Sequence, residues 1–458
     1  MQTEKQPRLL EAVFILLGML VVMGVGIIGF HLTPVVPILT VIFVLMIWGK
    51  VRGFSWDEIQ EGIVVGVRNG IIPLFIFLLI GSLIGVWIMA GVIPTLMVYG
   101  FHILSVQWFL PSVFLMCAFV GCFIGSAFTI ISTVGIASMG IGVTMGLDPA
   151  MIAGAVVSGA VFSDKMSPLS ATTNLASAIA GDDLYSHIKN MLWSTVPAFI
   201  ISLILFTILG NHHQTASLAK ITQTTHILTS NFPVSVWMLL PVVLLLICAW
   251  TKIPTIPTLF INITVTIIIT FFTPHHPSFA KVADVMENGF TIKTSSAEVN
   301  QILNRGGISS MTGTMTLIIL ALALGGLLIK LGIIDVVMTR FSQHIHSDGM
   351  LVLSTVLAAI GVNLFIGEQY LSVVLPGTAF KADFKKSHLA PEALGRALED
   401  GGAVINYLVP WGVAGVFVAN TLNVPTLSYL PFVFFSLLCP VFSVLSGFTG
   451  IGLKRAQQ

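Results

Sequence analysis

A few charged residues inside apolar stretches are the candidates for chemistry in this sequence. The segment VFSDKMSPLSATTNLASAIAG (residues 161–181) holds Asp164 and Lys165 beside a proline and several hydroxyl and amide side chains. Three further acids interrupt apolar sequence in the second part of the chain: Glu368, Glu399 and Asp400. A charge at the centre of a membrane helix costs about 2.5–3.5 kcal/mol on insertion scales. We therefore expect these residues to bind ions, carry protons or pair with one another.

Oxygen-bearing side chains near these acids suit a hard cation such as Na⁺, which prefers carboxylate, hydroxyl and carbonyl ligands. The predicted substrate- or cation-binding residues are Asp164, Ser167, Thr172, Thr173, Asn174, Glu368 and Asn406. Within that set, we predict Asp164, Thr173 and Asn174 as the ligands of Na⁺. Carboxylates also exchange protons, so the same residues are candidates for proton transport.

The predicted charge-pairing residues are Lys165, Glu399 and Asp400. Neighbours on a helix do not face each other, so Lys165 is expected to pair with one of the three acids of the second part of the chain rather than with Asp164. Plainer interpretations stay open. In one, Asp164 and Lys165 lie in a solvated surface loop and bind nothing. In another, Arg396, one turn away, neutralises Glu399 or Asp400. Thr172 and Thr173 would then serve only in helix packing.

Composition indicates that these residues lie in a membrane protein. Of the 458 residues, 56% are apolar and 9% are charged, whereas about 25% are charged in an average soluble domain. Apolar runs close to the roughly 20 residues of a spanning helix occupy residues 9–30, 71–92, 193–209, 254–272, 315–331 and 430–448. We predict an all-α polytopic membrane protein surrounded by the lipid bilayer. The net charge of +1 gives no reason to expect a nucleic-acid partner.

The two parts of the chain resemble each other in sequence. FIGSAFTIISTVGIA (residues 123–137) aligns with FIGEQYLSVVLPGTA (365–379), and residues 147–168 align with 389–410 without a gap. Several aligned positions are glycine or proline, which shape the backbone. The predicted domains are a first transmembrane repeat (1–210), an inter-repeat loop (211–232) and a second transmembrane repeat (233–458). We expect the repeats to be inverted relative to each other, as in many transporters.

Proline and glycine predict where the helices of each repeat are interrupted. Pro168 aligns with Pro410, and each is expected to break a helix because proline lacks an N–H and clashes with the preceding turn. Gly125 and Gly367 mark an aligned bent or re-entrant segment. Backbone groups freed at membrane depth are tolerated only where they are buried in protein or face a polar cavity. Duplicated halves with interrupted helices are typical of secondary transporters that bind substrate between the repeats.

The acids are distributed unequally over these aligned positions. Asp164 aligns with Asn406, whereas Ser126 aligns with Glu368. We interpret this pattern as two half-sites that brought oxygen ligands to a shared cavity and then diverged. Each half would then supply one acid.

Lysine and arginine near the ends of the apolar runs predict the orientation. Lys5 and Arg8 precede the first span, Lys50 and Arg52 follow a second span at about residues 32–49, and Lys454 and Arg455 close the chain. The segment 94–107 carries none. We therefore predict that both termini are cytoplasmic.

Several motifs in this order resemble one known family. SDKMSPLSATTNLASAIAG (163–181) and DDLYSHIKNM (182–191) resemble the hallmark segment of the NhaC family of Na⁺/H⁺ antiporters. GEQYLSVVLPGTAF (367–380), ALEDGGAV (397–404) and LVPWGVAGVFVANTLNV (408–424) resemble motifs of its second half. The resemblance implies a secondary transporter of a bacterial-type cytoplasmic (plasma) membrane, with inverted repeats and alternating access. It implies Na⁺ and H⁺ as the exchanged partners, Na⁺ as coupling ion and no cofactor.

Two positions depart from the family pattern. Ala171 stands where the family usually has an acid, and Glu368 stands where aspartate is common. Other members of the family resemble exchangers of malate for lactate or amino-acid carriers. The loss of one acid therefore leaves a small organic anion or an amino acid, coupled to Na⁺ or H⁺, as the alternative substrate.

An enzyme is the hypothesis from another class. The sequence holds no HExxH or GxSxG motif and no paired intramembrane aspartates that would supply a nucleophile with its base. We therefore predict a transporter and not an enzyme. A homodimer is a candidate assembly that the sequence alone does not decide.

Overall fold

The protein is built of helices and the turns that join them. The computed structural model describes residues 7–30, 32–68, 70–103, 105–211, 218–251, 253–273, 277–342 and 347–456. Over these residues, a single bridge between Leu389 and Arg455 is the only β-type pairing, and there is no strand. The predicted all-α fold class is confirmed.

Eleven of the α-helices precede the predicted inter-repeat boundary in the described chain. They are α1 (Leu9–Gly24), α2 (Val35–Val51), α3 (Trp56–Arg68), α4 (Ile71–Ala90), α5 (Val92–Ile103), α6 (Phe109–Ile124), α7 (Ala127–Ile130), α8 (Ile136–Thr144), α9 (Pro149–Met166), α10 (Ala171–Ala180) and α11 (Leu184–Asn211). Helix α1 continues in a π-helical segment, Val25–Gly29, and a second such segment, Ile131–Gly135, joins α7 to α8.

Thirteen more α-helices follow among the described residues. They are α12 (Leu218–Asn231), α13 (Leu240–Trp250), α14 (Thr255–Phe271), α15 (Phe279–Asn288), α16 (Ala297–Leu303), α17 (Ile308–Lys330), α18 (Ile333–Ser342), α19 (Asp348–Ile366), α20 (Gln369–Lys386), α21 (Pro391–Leu398), α22 (Val413–Leu422), α23 (Thr426–Tyr429) and α24 (Phe434–Thr449). Helix α12 lies inside the predicted loop 211–232, of which residues 212–217 are outside the described chain. The predicted boundary thus includes a helix.

Many of these helices have the length and apolarity of membrane spans. In the described chain, six stretches meet both criteria: Leu9–Gly29, Ile71–Ala90, Ala127–Thr144, Leu184–Gly210, Ile308–Lys330 and Asp348–Ile366. Three bent pairs raise that number to nine if each pair is one span: Lys220–Asn231 with Val236–Cys248, Pro391–Leu408 with Val413–Leu422, and Thr426–Phe432 with Phe434–Thr449. The predicted polytopic membrane protein is confirmed.

Two apolar runs of the sequence differ from the six long stretches: one forms a shorter helix and the other is bent. Residues 254–272 form α14, which has 17 residues, and residues 430–448 contain a bend of 58° between Thr426–Phe432 and Phe434–Thr449. Hydropathy reports how apolar a run is, but the turn within it depends on local backbone conformation. Neither run therefore forms a straight helix of 18 residues or more.

Helices α6 and α9 pack closely and bring two chain interruptions together. A Cβ at Gly159 of α9 would lie 2.7 Å from Cβ of Cys117, and one at Gly121 of α6 would lie 2.5 Å from Cβ of Ser163. Both distances are too short for a side chain to be added without movement, so the small residues allow the backbones to approach. The C-terminal ends of these two helices form part of the site described below.

Candidate functional site

The chain break in the first half follows α9 and is closed by hydrogen bonds from serine side chains. Helix α9 ends at Met166 and α10 begins at Ala171, so the predicted break at Pro168 is confirmed. Ser170 caps α10, and its Oγ accepts a hydrogen bond of 3.4 Å from the backbone N–H of Thr173. Ser167 donates from its Oγ to the carbonyl oxygen of Cys122 on α6, at 2.9 Å. These bonds fix the break against the end of α6.

Thr173 and Asn174 use their side-chain donors inside the same break. Oγ1 of Thr173 donates to the carbonyl oxygens of Asp164 and Lys165, at 3.2 and 3.1 Å. Nδ2 of Asn174 donates to the carbonyl oxygens of Pro168 and Ser170, at 2.9 and 2.7 Å. Carbonyls at the end of a helix lack intrahelical partners. The Thr173 hydroxyl is a shared donor to two of them at the end of α9, whereas Asn174 binds carbonyls of the break and of the cap of α10.

The break in the second half is closed by a network of amides. Helix α21 runs into a π-helical segment, Glu399–Ala403, and the helix α22 begins only at Val413, so the predicted break at Pro410 is confirmed. Asn406 accepts from the backbone N–H of Ala414 at 2.9 Å and donates to Oδ1 of Asn363 at 2.8 Å. Both the oxygen and the nitrogen of the Asn406 amide therefore have hydrogen-bond partners within the protein.

Two glycine turns stand at the aligned positions Gly125 and Gly367. Both adopt left-handed conformations, with φ of +68° and +73°, which glycine reaches without steric cost. The next residue in each case caps a helix: Ser126 caps α7, and Oε2 of Glu368 accepts from the backbone N–H of Leu371 at 2.7 Å. The backbone therefore has the same local shape at both positions, although one cap is neutral and the other is an acid.

A small cavity of about 130 Å³ lies between these interruptions. Its polar lining comes from both halves of the chain: Ser126, Asp164, Thr172, Thr255, Glu368, Gln369 and Tyr370. The remaining lining is mainly apolar and includes Phe77, Phe128 and Ala171. The structure thus brings the acids Asp164 and Glu368 to one enclosed space, although they are distant in sequence.

The carboxylate of Asp164 is held by side chains from both halves. It interacts with the hydroxyl groups of Ser170 and Thr172 and with the amide of Gln369. Ser170 and Thr172 are also joined to each other, with 2.9 Å between their oxygens. Asp164 therefore lines the cavity with polar side chains of both halves close to its carboxylate.

Lys165, next to Asp164, points to a different partner. Its ammonium group forms a buried ion pair with the carboxylate of Asp400 and donates to Oγ of Ser194 at 3.1 Å. Lys165 and Asp400 are both almost fully buried. The positive charge of Lys165 is therefore matched by Asp400 and is not the partner of Asp164.

Arg396 forms no ion pair with Glu399 or Asp400 among the described residues, in contrast to the interpretation that it neutralises one of them. Arg396 donates to the carbonyl oxygen of Gly452 at 3.0 Å and to Oγ of Ser446 at 2.7 Å, so it binds the end of the chain. Glu399 is fully buried, and neither of its carboxylate oxygens has a hydrogen-bond partner among the described residues. A buried carboxylate without partners is costly unless it carries a proton.

The structure separates the predicted site residues into three groups. Asp164, Thr172 and Glu368 line the cavity, together with Gln369, Ser126 and Tyr370. The predicted binding residues Ser167, Thr173, Asn174 and Asn406 bond to the backbone and amides of the two breaks. The predicted charge-pairing residues lie behind the first break, where Lys165 contacts Asp400.

Gln369 and Tyr370 are cavity residues that were not predicted. Both follow Glu368 directly, at the start of the helix after a glycine turn. That position was the available signal, because residues adjacent in sequence to a helix-capping acid lie close to it in space. Charge alone drew attention to Glu368 and not to its neighbours.

Comparison with known proteins gives a consistent set of similarities. Residues 159–451 match the model of the Na⁺/H⁺ antiporter family. The chain is 42% identical to the Na⁺/H⁺ antiporter NhaC of Alkalihalophilus pseudofirmus, over 93% of this chain and 92% of that protein. It is 38% identical to the Na⁺/H⁺ antiporter NhaC of Bacillus subtilis, over 91% of this chain and 93% of the relative. It is also 35% identical to the malate-2H⁺/Na⁺-lactate antiporter of Bacillus subtilis, over 89% and 87%.

Proposed function

The chain belongs to the Na⁺/H⁺ antiporter family, and we propose that it exchanges Na⁺ for H⁺ across a cytoplasmic membrane. The observation that carries this proposal is the small cavity lined by Asp164 and Glu368. The names of two relatives that are 42% and 38% identical support the choice of ions. We propose alternating access between the two halves as the mode of transport, with both termini cytoplasmic.

Two carboxylates in one small cavity favour a bound cation. A carboxylate that is largely removed from water is stabilised by a bound proton or a bound cation. In the proposed mechanism, Na⁺ binds to Asp164, Glu368 and the hydroxyl of Thr172 after these acids release protons. Because Na⁺ and H⁺ compete for the same oxygens, the cavity holds one or the other, and this competition produces exchange.

The size of the cavity agrees with a small substrate. Its volume of about 130 Å³ corresponds to about four water molecules at roughly 30 Å³ each. A cation with a few of its waters fits that space. Phe77 and Phe128 border it on the apolar side, where they exclude further water.

Lys165 has a supporting part in this proposal. An ammonium group beside Asp164 would compete with Na⁺ for its carboxylate, but Lys165 is paired with Asp400. The pair also ties the end of α9 to the segment that follows α21. Asp164 is therefore left with its negative charge available to the cavity, while the adjacent backbone is held in place.

Exchange in proteoliposomes tests the proposal directly. An imposed Na⁺ gradient is expected to drive H⁺ movement, and Asp164→Asn is expected to abolish it. The Coulomb term lost is about 4 kcal/mol at 4 Å and an effective dielectric constant of 20, which corresponds to roughly a thousandfold in Na⁺ affinity. Glu287→Gln, which changes an exposed acid outside the cavity, is the matched control. Full exchange by the Asp164→Asn protein would contradict the assignment.

A small carboxylate or an amino acid is the second candidate substrate. Three residues at helix N-termini line the cavity, Ala171 of α10, Gln369 of α20 and Val413 of α22, and helix N-termini favour anions. The malate-2H⁺/Na⁺-lactate antiporter among the relatives supports this alternative. Counterflow of labelled malate, lactate and amino acids decides between the two: uptake of one of them would replace simple Na⁺/H⁺ exchange with coupled exchange of that substrate.

A further inference from the structure

An apolar groove lies between α11 and α24, away from the ion cavity. It has a volume of about 720 Å³ and is lined largely by aliphatic and aromatic side chains, among them Leu192, Val196, Pro197, Phe442 and Leu445. Val196 and Leu445 are 45% and 49% exposed. The volume falls within the range of about 300–1,000 Å³ that is usual for ligand sites. In a spanning helix pair, such an open apolar groove faces the lipid.

A polar pocket of about 390 Å³ adjoins the groove at one end. Lys189 and Trp193 line both spaces, so the two are adjacent. Helix α11 begins at Leu184 and α24 ends at Thr449, and the polar pocket lies between these two ends. The polar end is therefore the end nearer the membrane surface, where tryptophan is commonly found.

The polar pocket is a built site for a negatively charged group. Lys189 is exposed and forms no ion pair in the part of the chain that the structure describes. Lys454 also lines the pocket, where it pairs with Glu392 and keeps 52% of its side chain exposed. Two lysines against one glutamate leave one positive charge.

Asn190 gives a second, independent indication of a ligand. The residue is only 6% exposed, it lines the polar pocket, and its Oδ1 has no hydrogen-bond partner among the described residues. Buried amides are almost always hydrogen-bonded. An amide oxygen accepts hydrogen bonds, so an unpartnered one beside a pocket with a free lysine suits a ligand that carries a hydroxyl donor as well as a negative charge.

We propose that the groove binds an anionic phospholipid. Its phosphodiester lies beside Lys189, a hydroxyl of its head group donates to Oδ1 of Asn190, and one acyl chain follows α11 and α24 past Val196 and Leu445. The site is polar near the membrane surface and apolar toward the membrane interior, as a phospholipid is. Basic pockets between spanning helices are known to select anionic head groups. A soluble anion would use only the polar end and would leave the apolar groove unfilled.

Lipid titration of the purified, full-length protein in nonionic detergent tests this proposal. Phosphatidylglycerol and phosphatidylcholine with identical acyl chains are added, and retained lipid is measured by native mass spectrometry beside the thermal unfolding midpoint. A ligand that binds only the folded protein raises that midpoint with its occupancy. We expect retention and stabilisation by phosphatidylglycerol, and at least tenfold weaker apparent binding of phosphatidylcholine.

Two variants locate the site. Lys189→Glu is expected to weaken phosphatidylglycerol binding at least tenfold, whereas Lys386→Glu, which changes a lysine with 79% of its side chain exposed outside the groove, leaves it unchanged. Leu445→Trp is expected to fill the groove and to weaken retention of the acyl chain. Because the readout is lipid binding, a failure here is distinct from a failure of Na⁺/H⁺ exchange.

Three results would overturn the proposal. Equal retention of both lipids would show that the charge of the pocket selects nothing. Stabilisation by glycerol phosphate equal to that by the lipid would assign the site to a soluble anion. Disulfide-linked dimers of a Leu445→Cys protein that exclude phosphatidylglycerol would assign the groove to a second copy of the chain.

Discussion

The two helix breaks have the same position in the aligned halves but opposite chemistry. At the first, Asp164 lines the cavity, and hydroxyl groups hold its carboxylate. At the second, the aligned Asn406 does not line the cavity, and its amide is hydrogen-bonded to Ala414 and Asn363. One break presents a charge to the substrate space, whereas the other supports the backbone around it.

The glycine turns show the reverse distribution. Ser126 of the first half is neutral, and Glu368 of the second half is an acid, although both cap the helix that follows. Each half therefore contributes one carboxylate to the cavity. The comparison teaches that a similar backbone shape is compatible with either a neutral residue or an acid, so the position of the acid is not fixed by the shape of the turn.

The largest expected effect concerns the buried ion pair that joins Lys165 of the first break to Asp400, just before the second. Lys165→Met leaves Asp400 buried without a partner, and breaking a buried pair in this way costs about 3–5 kcal/mol. We expect a strongly lowered thermal unfolding midpoint in detergent. Lys386→Met is the exposed control. Recovery of the midpoint in a protein with both Lys165→Met and Asp400→Leu would show that the unpaired charge is the cause; an unchanged midpoint in Lys165→Met alone would contradict the assigned contact.

An intermediate effect is expected at Asn406, where stability and Na⁺/H⁺ exchange should respond differently from their response at Asp164. Asn406→Ala removes the partners of the Ala414 N–H and of the Asn363 side chain, at about 1–3 kcal/mol for each buried group left unsatisfied. We expect lower stability but retained Na⁺/H⁺ exchange per folded molecule. Asp164→Asn is expected to give the opposite pattern, with retained stability and lost exchange. Thermal unfolding and proteoliposome flux are measured on both proteins, and identical patterns would remove the distinction between the two breaks.

The smallest expected effect concerns the cap of α10. Ser170→Ala removes the side-chain acceptor of the Thr173 N–H, and loss of such a cap costs about 1 kcal/mol. Ser170→Gly is expected to cost only a few tenths of a kcal/mol. The unfolding midpoints of the two variants check this order. A larger loss for glycine than for alanine would show that the cap is not what Ser170 contributes.

Parts of the site were predictable from sequence for physical reasons. Pro168 disrupts a continuing helix, and placing an acid such as Asp164 or Glu368 inside a membrane costs free energy, which indicates a functional role. Their types and neighbours therefore indicated a break and a site. Thr173 and Asn174 have the same ligand chemistry as Thr172, but they contact backbone carbonyls of the break. Residue type does not report the direction of a side chain.

What the sequence by itself determined is the class of protein and the places where its helices are interrupted. Apolar runs and backbone-shaping residues act locally, so neither needs a partner elsewhere in the chain. The tertiary structure alone decided which acid neutralises Lys165 and which polar side chains face the cavity. Three acids were available to Lys165, and only the packing of α9 against the segment after α21 brings Asp400 to its ammonium group. Contacts between distant segments depend on how the helices pack, and that information is spread over the whole chain.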